Sequence, residues 1–196
     1  MVSYVIFVEG SRTGPNSKND QQECRKAFKQ LFIKCGFSGR LPRIFASGSR
    51  TQAYSDFCNA FTKHLYSGHV AFLIDSEDPV ADIEKPWEHL KNRPGDGWDR
   101  PLGAEDKQVL FMTVCQETWI LADVLTKQGK SVPISIESTP KGDIFANLKK
   151  VTDGAYSKEH GKQFHFLEKV DVKSLEPLPS FRRIRTILND ELNTIS

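Results

Sequence analysis

The stretch VAFLIDSEDPV, residues 70–80, decides how the chain is read. Its first half is apolar and rich in β-branched and aromatic side chains, as in a strand buried on both faces, which is the condition of strands in parallel sheets. Its second half places Asp75, Glu77 and Asp78 within four residues. Two carboxylates about 4 Å apart in a partly dry site repel by roughly 4 kcal/mol at an effective dielectric of about 20, so they do not gather without compensation. A divalent cation is the usual compensation, since magnesium takes hard oxygen ligands and needs only one or two protein carboxylates besides water and phosphate. Asp75 and Glu77 leave the same face if the pleat continues. A solvated turn or a helix N-cap accounts for the same residues, because Asp and Ser favour both.

Outward from this stretch, residues 3–8 (SYVIFV) form a second apolar run, ending in Glu9 and Gly10. A polar loop with Gly14 and Pro15 follows. Cys24, Ala27, Phe28, Leu31, Phe32 and Cys35 then recur at helical spacing until Gly36. Residues 42–47 (PRIFAS) predict another strand, and Tyr54, Phe57, Cys58, Phe61 and Leu65 mark a helix face before residues 69–75. This order of strand, helix, strand, helix, strand predicts an α/β fold, with a parallel sheet, right-handed crossovers and helices on its faces. Ligands in such open sheets gather beyond the carboxyl ends of the strands. Glu9 and Asp75 both fall there, so Glu9 can join Asp75 and Glu77 from a neighbouring strand.

Residues 76–106, rich in Pro, Gly and Trp, predict a long loop insertion over the strand ends. VLFMTV (109–114) is a fourth strand candidate, with a helix around ETWILADVL. The last third reads as helical: Pro140 suits a first turn before Ile144, Phe145, Leu148 and Val151, and Phe181, Ile184, Ile187, Leu188 and Leu192 form a final stripe. The expectation is one domain over residues 1–196, with a core over about 1–130 and a helical C-terminal extension over about 131–196.

Lys and Arg number 27 against 25 Asp and Glu, and a net charge of +2 is too small to argue for a nucleic-acid partner without local basic clusters. No run approaches the roughly 18 to 20 apolar residues that cross a bilayer, and MVSYVIFVEGS lacks a basic leader, so the sequence predicts a soluble cytoplasmic protein with no membrane partner. Cys24, Cys35, Cys58 and Cys115 are widely spaced in apolar patterns with no CxxC pair, which reads as buried thiols rather than disulfides or a zinc site. Walker A, HxxxH and G-x-S-x-G patterns are absent, so ATP hydrolysis by this chain is not predicted.

Several further residues are candidates for the site. Glu117, at the start of a helix, either binds or orients a metal or pairs with the helix dipole; Trp119 reads as core. Arg40, Arg43 and Arg50 flank the Gly-containing turn after the second strand, and Arg50 is the preferred phosphate ligand, because guanidinium groups bind phosphate oxygens bidentately. Lys158, His160, Lys162 and His165 form a basic and imidazole cluster; it can hold a nucleic-acid backbone, send Lys158 into the site, or be a solvated helix start. FRRIRTIL, with Arg182, Arg183 and Arg185, reads most simply as the outer face of the last helix.

VIFVEG followed by FLIDSED resembles the Toprim domain of topoisomerases, primases and OLD-type nucleases, whose pattern is Glu-Gly after the first strand and Asp-x-Asp after a later one. Glu77 stands where the second aspartate of that pattern falls, and Asp78 can supply a further one. More widely, ECRKAF, GRLPRIFASGSRTQAYSDF, LIDSEDPV, the WEHL and GW pieces, CQETWILAD, IES-PKGD and YSKEHGK together resemble the bacterial domain of unknown function family 4276, which is Toprim-like; Gln116 stands where that pattern has Met before Glu-x-Trp. The resemblance implies a Toprim-like (Rossmann-like) sheet. It also implies Mg2+ or Mn2+ held by Glu9, Asp75, Glu77 and Asp78, and a nuclease acting on DNA or RNA as an effector of anti-phage defence beside an ATPase partner. Glu9, Asp75, Glu77, Arg50, Glu117 and Lys158 are then the expected catalytic set. A Toprim-like module that keeps the metal site but acts as a sensor or regulator of the ATPase is the alternative. A receiver-type phosphoacceptor is a weaker one, because no partner lysine on a late strand can be placed.

Overall fold

The computed structural model describes residues 4–10 and 17–194; Ser3, Gly14, Pro15 and the side chain of His160 lie outside the described residues. Four strands form one parallel sheet in the order β2-β1-β3-β4: β1 (Val5–Glu9), β2 (Arg43–Gly48), β3 (Val70–Asp75) and β4 (Val109–Met112). The period-two alternation of each strand divides its side chains between two cores. Ile6, Val8, Ala71, Leu73, Leu110 and Met112 face one side, where they meet apolar residues of α1 (Ser17–Phe32), α4 (Gln116–Lys127), α5 (Lys141–Val151), α6 (Lys162–Glu168) and α7 (Pro179–Thr194). Val5, Phe7, Val70, Phe72, Ile74, Val109 and Phe111 face the other, against α2 (Arg50–Thr62) and α3 (Pro86–Asn92). A sheet covered on both faces explains why its strands read as continuous apolar runs. Trp119 is wholly buried and stacks edge-on with Phe181 of the last helix, so the C-terminal helices share the core of the sheet.

The strand order carries the functional consequence. The connection from β1 leads outward to β2, whereas the one from β3 leads the opposite way to β4. A crevice opens where neighbouring strands send their connections in opposite directions, and in doubly wound sheets that crevice is where ligands bind. Here it lies between β1 and β3, with Val8 opposite Leu73, so the two strands end together.

Residues 76–106 are not a loose cover over the strand ends. They fold against the α2 face: Pro86 starts α3, Trp87 packs on Phe57 and Phe72, and Trp98 stacks on Tyr54 with ring centroids 4.4 Å apart. Burying an aromatic side chain of this size is worth about 1.5–3 kcal/mol, enough to hold a segment that composition alone assigns to loop. The fourth strand ends at Met112, earlier than expected, because Val114 has φ 63°, a left-handed conformation that no strand continues. Arg183 is not on the outer face of α7; it is buried and donates to the carbonyls of Val109 and Asp106, each at 2.8 Å. Cys24, Cys35 and Cys115 are buried free thiols, and Cys58 is half-buried and free. Among the described residues no helix is long and apolar enough to cross a membrane.

Candidate metal centre

Two tight strand ends build the site. Gly10 follows Glu9 where a Cβ would stand 2.5 Å from Cys24 Sγ, closer than Cβ atoms come without a shift, and 3.1 Å from the Phe164 ring, a tight contact. Beside it, the ends of β3 and β4 are laced together: Ser76 N donates to Met112 O at 3.2 Å, Glu77 N to Val114 O at 2.8 Å and Val114 N to Ser76 Oγ at 2.7 Å. Glu77 and Val114 both take positive φ, 70° and 63°. Left-handed non-glycine residues cost about 1–3 kcal/mol each and persist where surrounding bonds over-determine them, which is common at functional sites.

The lacing aims three carboxylates at one point. One carboxylate oxygen from each of Glu9, Asp75 and Glu77 lies within 4.8 Å of the others, and Glu9 Oε2 accepts from Asp75 N at 3.1 Å. Asp75 Oδ1 accepts from Gln116 N at the start of α4 at 2.8 Å, which places the carboxylate on a helix N-terminus. Lys141, at the first turn of α5, donates to Asp75 Oδ2 at 3.2 Å and to Glu77 Oε2 at 2.7 Å. Burial and the charge of Asp75 push Glu9 up to about 8, and burial, opposed by Lys141, pushes Asp75 up to about 6. Fully ionised, the triad with Lys141 leaves two negative charges uncompensated. Three hard oxygens with that deficit form a group that can hold a metal ion.

Glu117 and Lys158 form a second, balanced pair beside the triad. Glu117 is buried; Tyr156 Oη donates to its Oε1 at 2.5 Å and Lys158 Nζ lies 2.6 Å from the same oxygen. Burial alone would raise the Glu117 carboxyl, but Lys158 and Tyr156 outweigh it and hold it below its ordinary value. A cleft of about 290 Å3 opens between these groups and the turn after β2, lined by Glu9, Asp75, Gln116, Glu117, Lys158, Gly48 and Ser49 among others.

No protein-family model matches the chain, and no match is found among curated proteins or solved structures.

Of the expected residues, the fold brings together Glu9, Asp75, Glu77, Glu117 and Lys158. Asp78 departs: its carboxylate turns away to Arg93 Nε at 2.8 Å, outside the metal-holding group. Arg50 also departs from the role of phosphate ligand. It lies beside the cluster, but its guanidinium is buried, donating through Nε to Asp75 O at 2.8 Å, pairing through Nη1 with Asp96 and stacking on Trp98. Arg43 lies over the Phe45 ring, and Arg40 bonds Asn193. His165 faces Glu23 rather than the site, with Nδ1 3.8 Å from its carboxylate. The functional side chain that sequence reasoning missed is Lys141. Its signals were a basic residue after Pro140 at a helix start, where the macrodipole disfavours a cation, and its place in the IES-PKGD piece, to which no role was given.

Proposed function

We propose that the protein is a metal-dependent phosphodiesterase of Toprim-like type acting on DNA or RNA. The observation that supports this most is the triad itself: three carboxylates from the facing ends of β1 and β3, at the switch point of the sheet, with two charges more than Lys141 neutralises. Glu9, Asp75 and Glu77 are the residues that would hold magnesium or manganese. Such an ion supplies a Lewis acid for a phosphate oxygen and lowers the pKa of an attacking water. Glu9 would accept a proton from that water where it is not fully engaged with the metal, since burial first and the charge of Asp75 second raise its carboxyl in the metal-free protein. Lys141 and Lys158 oppose the charge that develops on the phosphate. A cytoplasmic effector role in anti-phage defence, beside an ATPase, follows from the resemblance of the motifs and is proposed with it.

The test is incubation of the purified chain with plasmid, single-stranded DNA and tRNA in magnesium or manganese. Cleavage by the parent and its loss in Glu9→Gln and Asp75→Asn are expected; equal cleavage by parent and variants ends this reading. Lys141 favours one other reading. An ammonium bridging Asp75 and Glu77 already satisfies part of the cluster, as in a non-catalytic module that binds and regulates an ATPase. Titrating magnesium while following both association with the partner and cleavage separates the two, since metal-dependent association without cleavage belongs to the module.

A further inference from the structure

The cleft beside the triad holds polar groups that the proposed chemistry leaves unused. Gln116 is only 6% exposed, and its Nε2 is buried with no acceptor among the described residues. An unsatisfied buried donor costs about 1–3 kcal/mol, and one in the wall of a cleft calls for a partner, a water or a ligand that enters the cleft. Opposite lies the start of α2. Gly48, at φ 93°, turns the chain from β2, Ser49 Oγ accepts from Gln52 N at 3.2 Å, and Ala53 N donates to Ser49 O. The amides of Arg50 and Thr51, one turn too early for a helical carbonyl, add donors at the positive end of the helix just behind Gly48 and Ser49, the two residues of this turn that line the cleft. Lys158, 31% exposed at its side chain, adds an ammonium to the same wall. Two acceptors complete the set: Glu117 Oε2 and Gln163 Oε1, both buried without a partner among the described residues.

We infer that this cleft is a subsite for one sugar-phosphate unit. Gln116 Nε2, Lys158 and the first amides of α2 receive the phosphate, while Glu117 Oε2 and Gln163 Oε1 accept from a free sugar hydroxyl, the 2′-hydroxyl of RNA or the 3′-hydroxyl of a chain end. The cleft is also lined by the carboxylates of Glu9, Asp75 and Glu117, the last paired with Lys158, so the phosphate is expected to bind only while magnesium offsets their charge. The inference deepens the phosphodiesterase reading and rests on it for the identity of the substrate: the unit is a nucleotide of the nucleic acid, held next to the triad. Gln116 is then a positioning residue for that nucleotide.

Calorimetric titration of the full chain with thymidine 5′-monophosphate and with inorganic phosphate, in magnesium, tests this. The mononucleotide is expected to bind more tightly than phosphate. Gln116→Met is expected to weaken both by about tenfold, the loss of one hydrogen bond to a charged group, and Gln116→Glu to abolish both. Gln163→Leu is expected to weaken the mononucleotide and leave phosphate unchanged, which tells a sugar-phosphate subsite from a simple anion site. Gln116→Met replaces an unpaired amide by an apolar side chain of similar volume, so its circular dichroism and melting temperature are expected to match or exceed the parent's. Failure of both ligands to bind the parent, or equal affinity in parent and Gln116→Met, overturns the subsite. DNA cleavage followed in parallel keeps the two ideas apart. A parent that cleaves but binds neither ligand overturns the subsite alone, and binding that Gln116→Met weakens, without any cleavage, upholds the subsite and overturns the phosphodiesterase reading.

Discussion

Two charged regions flank the end of β3, and they solve their electrostatics differently. On the insertion side, Arg50 and Arg93 face Asp96 and Asp78, two cations against two carboxylates, with Arg50 clamped between Asp75 O and the Trp98 ring. On the crevice side there are three carboxylates, Glu9, Asp75 and Glu77, and Lys141 pairs with the last two. The first arrangement pairs its charges one for one and fastens the insertion to the sheet, although Arg50 Nη2 and Asp96 Oδ2 stay buried without a partner among the described residues. The second is left short of positive charge, and burial first, with neighbouring carboxylates second, raises the protonation points of Glu9 and Asp75. The crevice side therefore keeps a deficit that a cation can fill.

The contrast breaks most readily at the triad. Asp75→Asn is expected to reduce metal-dependent cleavage about a thousandfold or more, a loss of roughly 4 kcal/mol of transition-state stabilisation, as measured by initial rates on plasmid. On the balanced side the expected damage is to the fold. Arg50→Met leaves Asp96 buried without its main partner, and about 3 kcal/mol or more of stability is lost, seen as a melting temperature lowered by about 6–12 °C. An Arg50→Met chain that melts like the parent would show that the insertion does not depend on this arginine.

A pH titration sharpens the comparison. Glu9 titrates near 4.5 when unfolded and is raised to about 8 in the folded, metal-free protein. The folded state therefore holds the proton more tightly. The stability linked to it is complete below about pH 4.5 and is lost as pH rises through 8. Metal-free protein is expected to melt progressively lower from pH 5 to pH 8.5, and Glu9→Gln is expected to flatten that slope. Because a metal needs the ionised carboxylate, magnesium is expected to raise the melting temperature more at pH 8.5 than at pH 6. A parent slope as flat as that of Glu9→Gln would show that the triad is not electrostatically strained. The smallest effect belongs to Asp78, whose side chain is 59% exposed. Asp78→Ala is expected to cost less than about 1 kcal/mol and to leave cleavage unchanged, in keeping with a solvent-exposed pair.

How far the sequence could be read depended on whether a pattern was local. The four strands, the helices between them and Glu9 and Asp75 at strand ends were legible, because burial on both faces forces continuous apolar runs and the acids interrupt them. The insertion was misjudged because Pro, Gly and charged residues mask the two tryptophans, Trp87 and Trp98, that fasten it. Asp78 and Arg50 carry the right chemistry, yet each is claimed by a partner, Arg93 and Asp96, that no spacing rule pairs with it.

By itself, then, the amino-acid sequence determined the succession of elements and the identity of the acids that close the first and third strands, since both are written in short-range hydrophobic periodicity. Only the tertiary structure decided that β1 and β3 are neighbours, that Lys141 arrives from a distant helix to share Asp75 and Glu77, and that Gln116 lines a cleft with its Nε2 unpaired among the described residues. The reason is physical: a lysine or a glutamine has the same local pattern whether water or a carboxylate surrounds it, and its energy is set by the charges and dipoles that folding gathers around it.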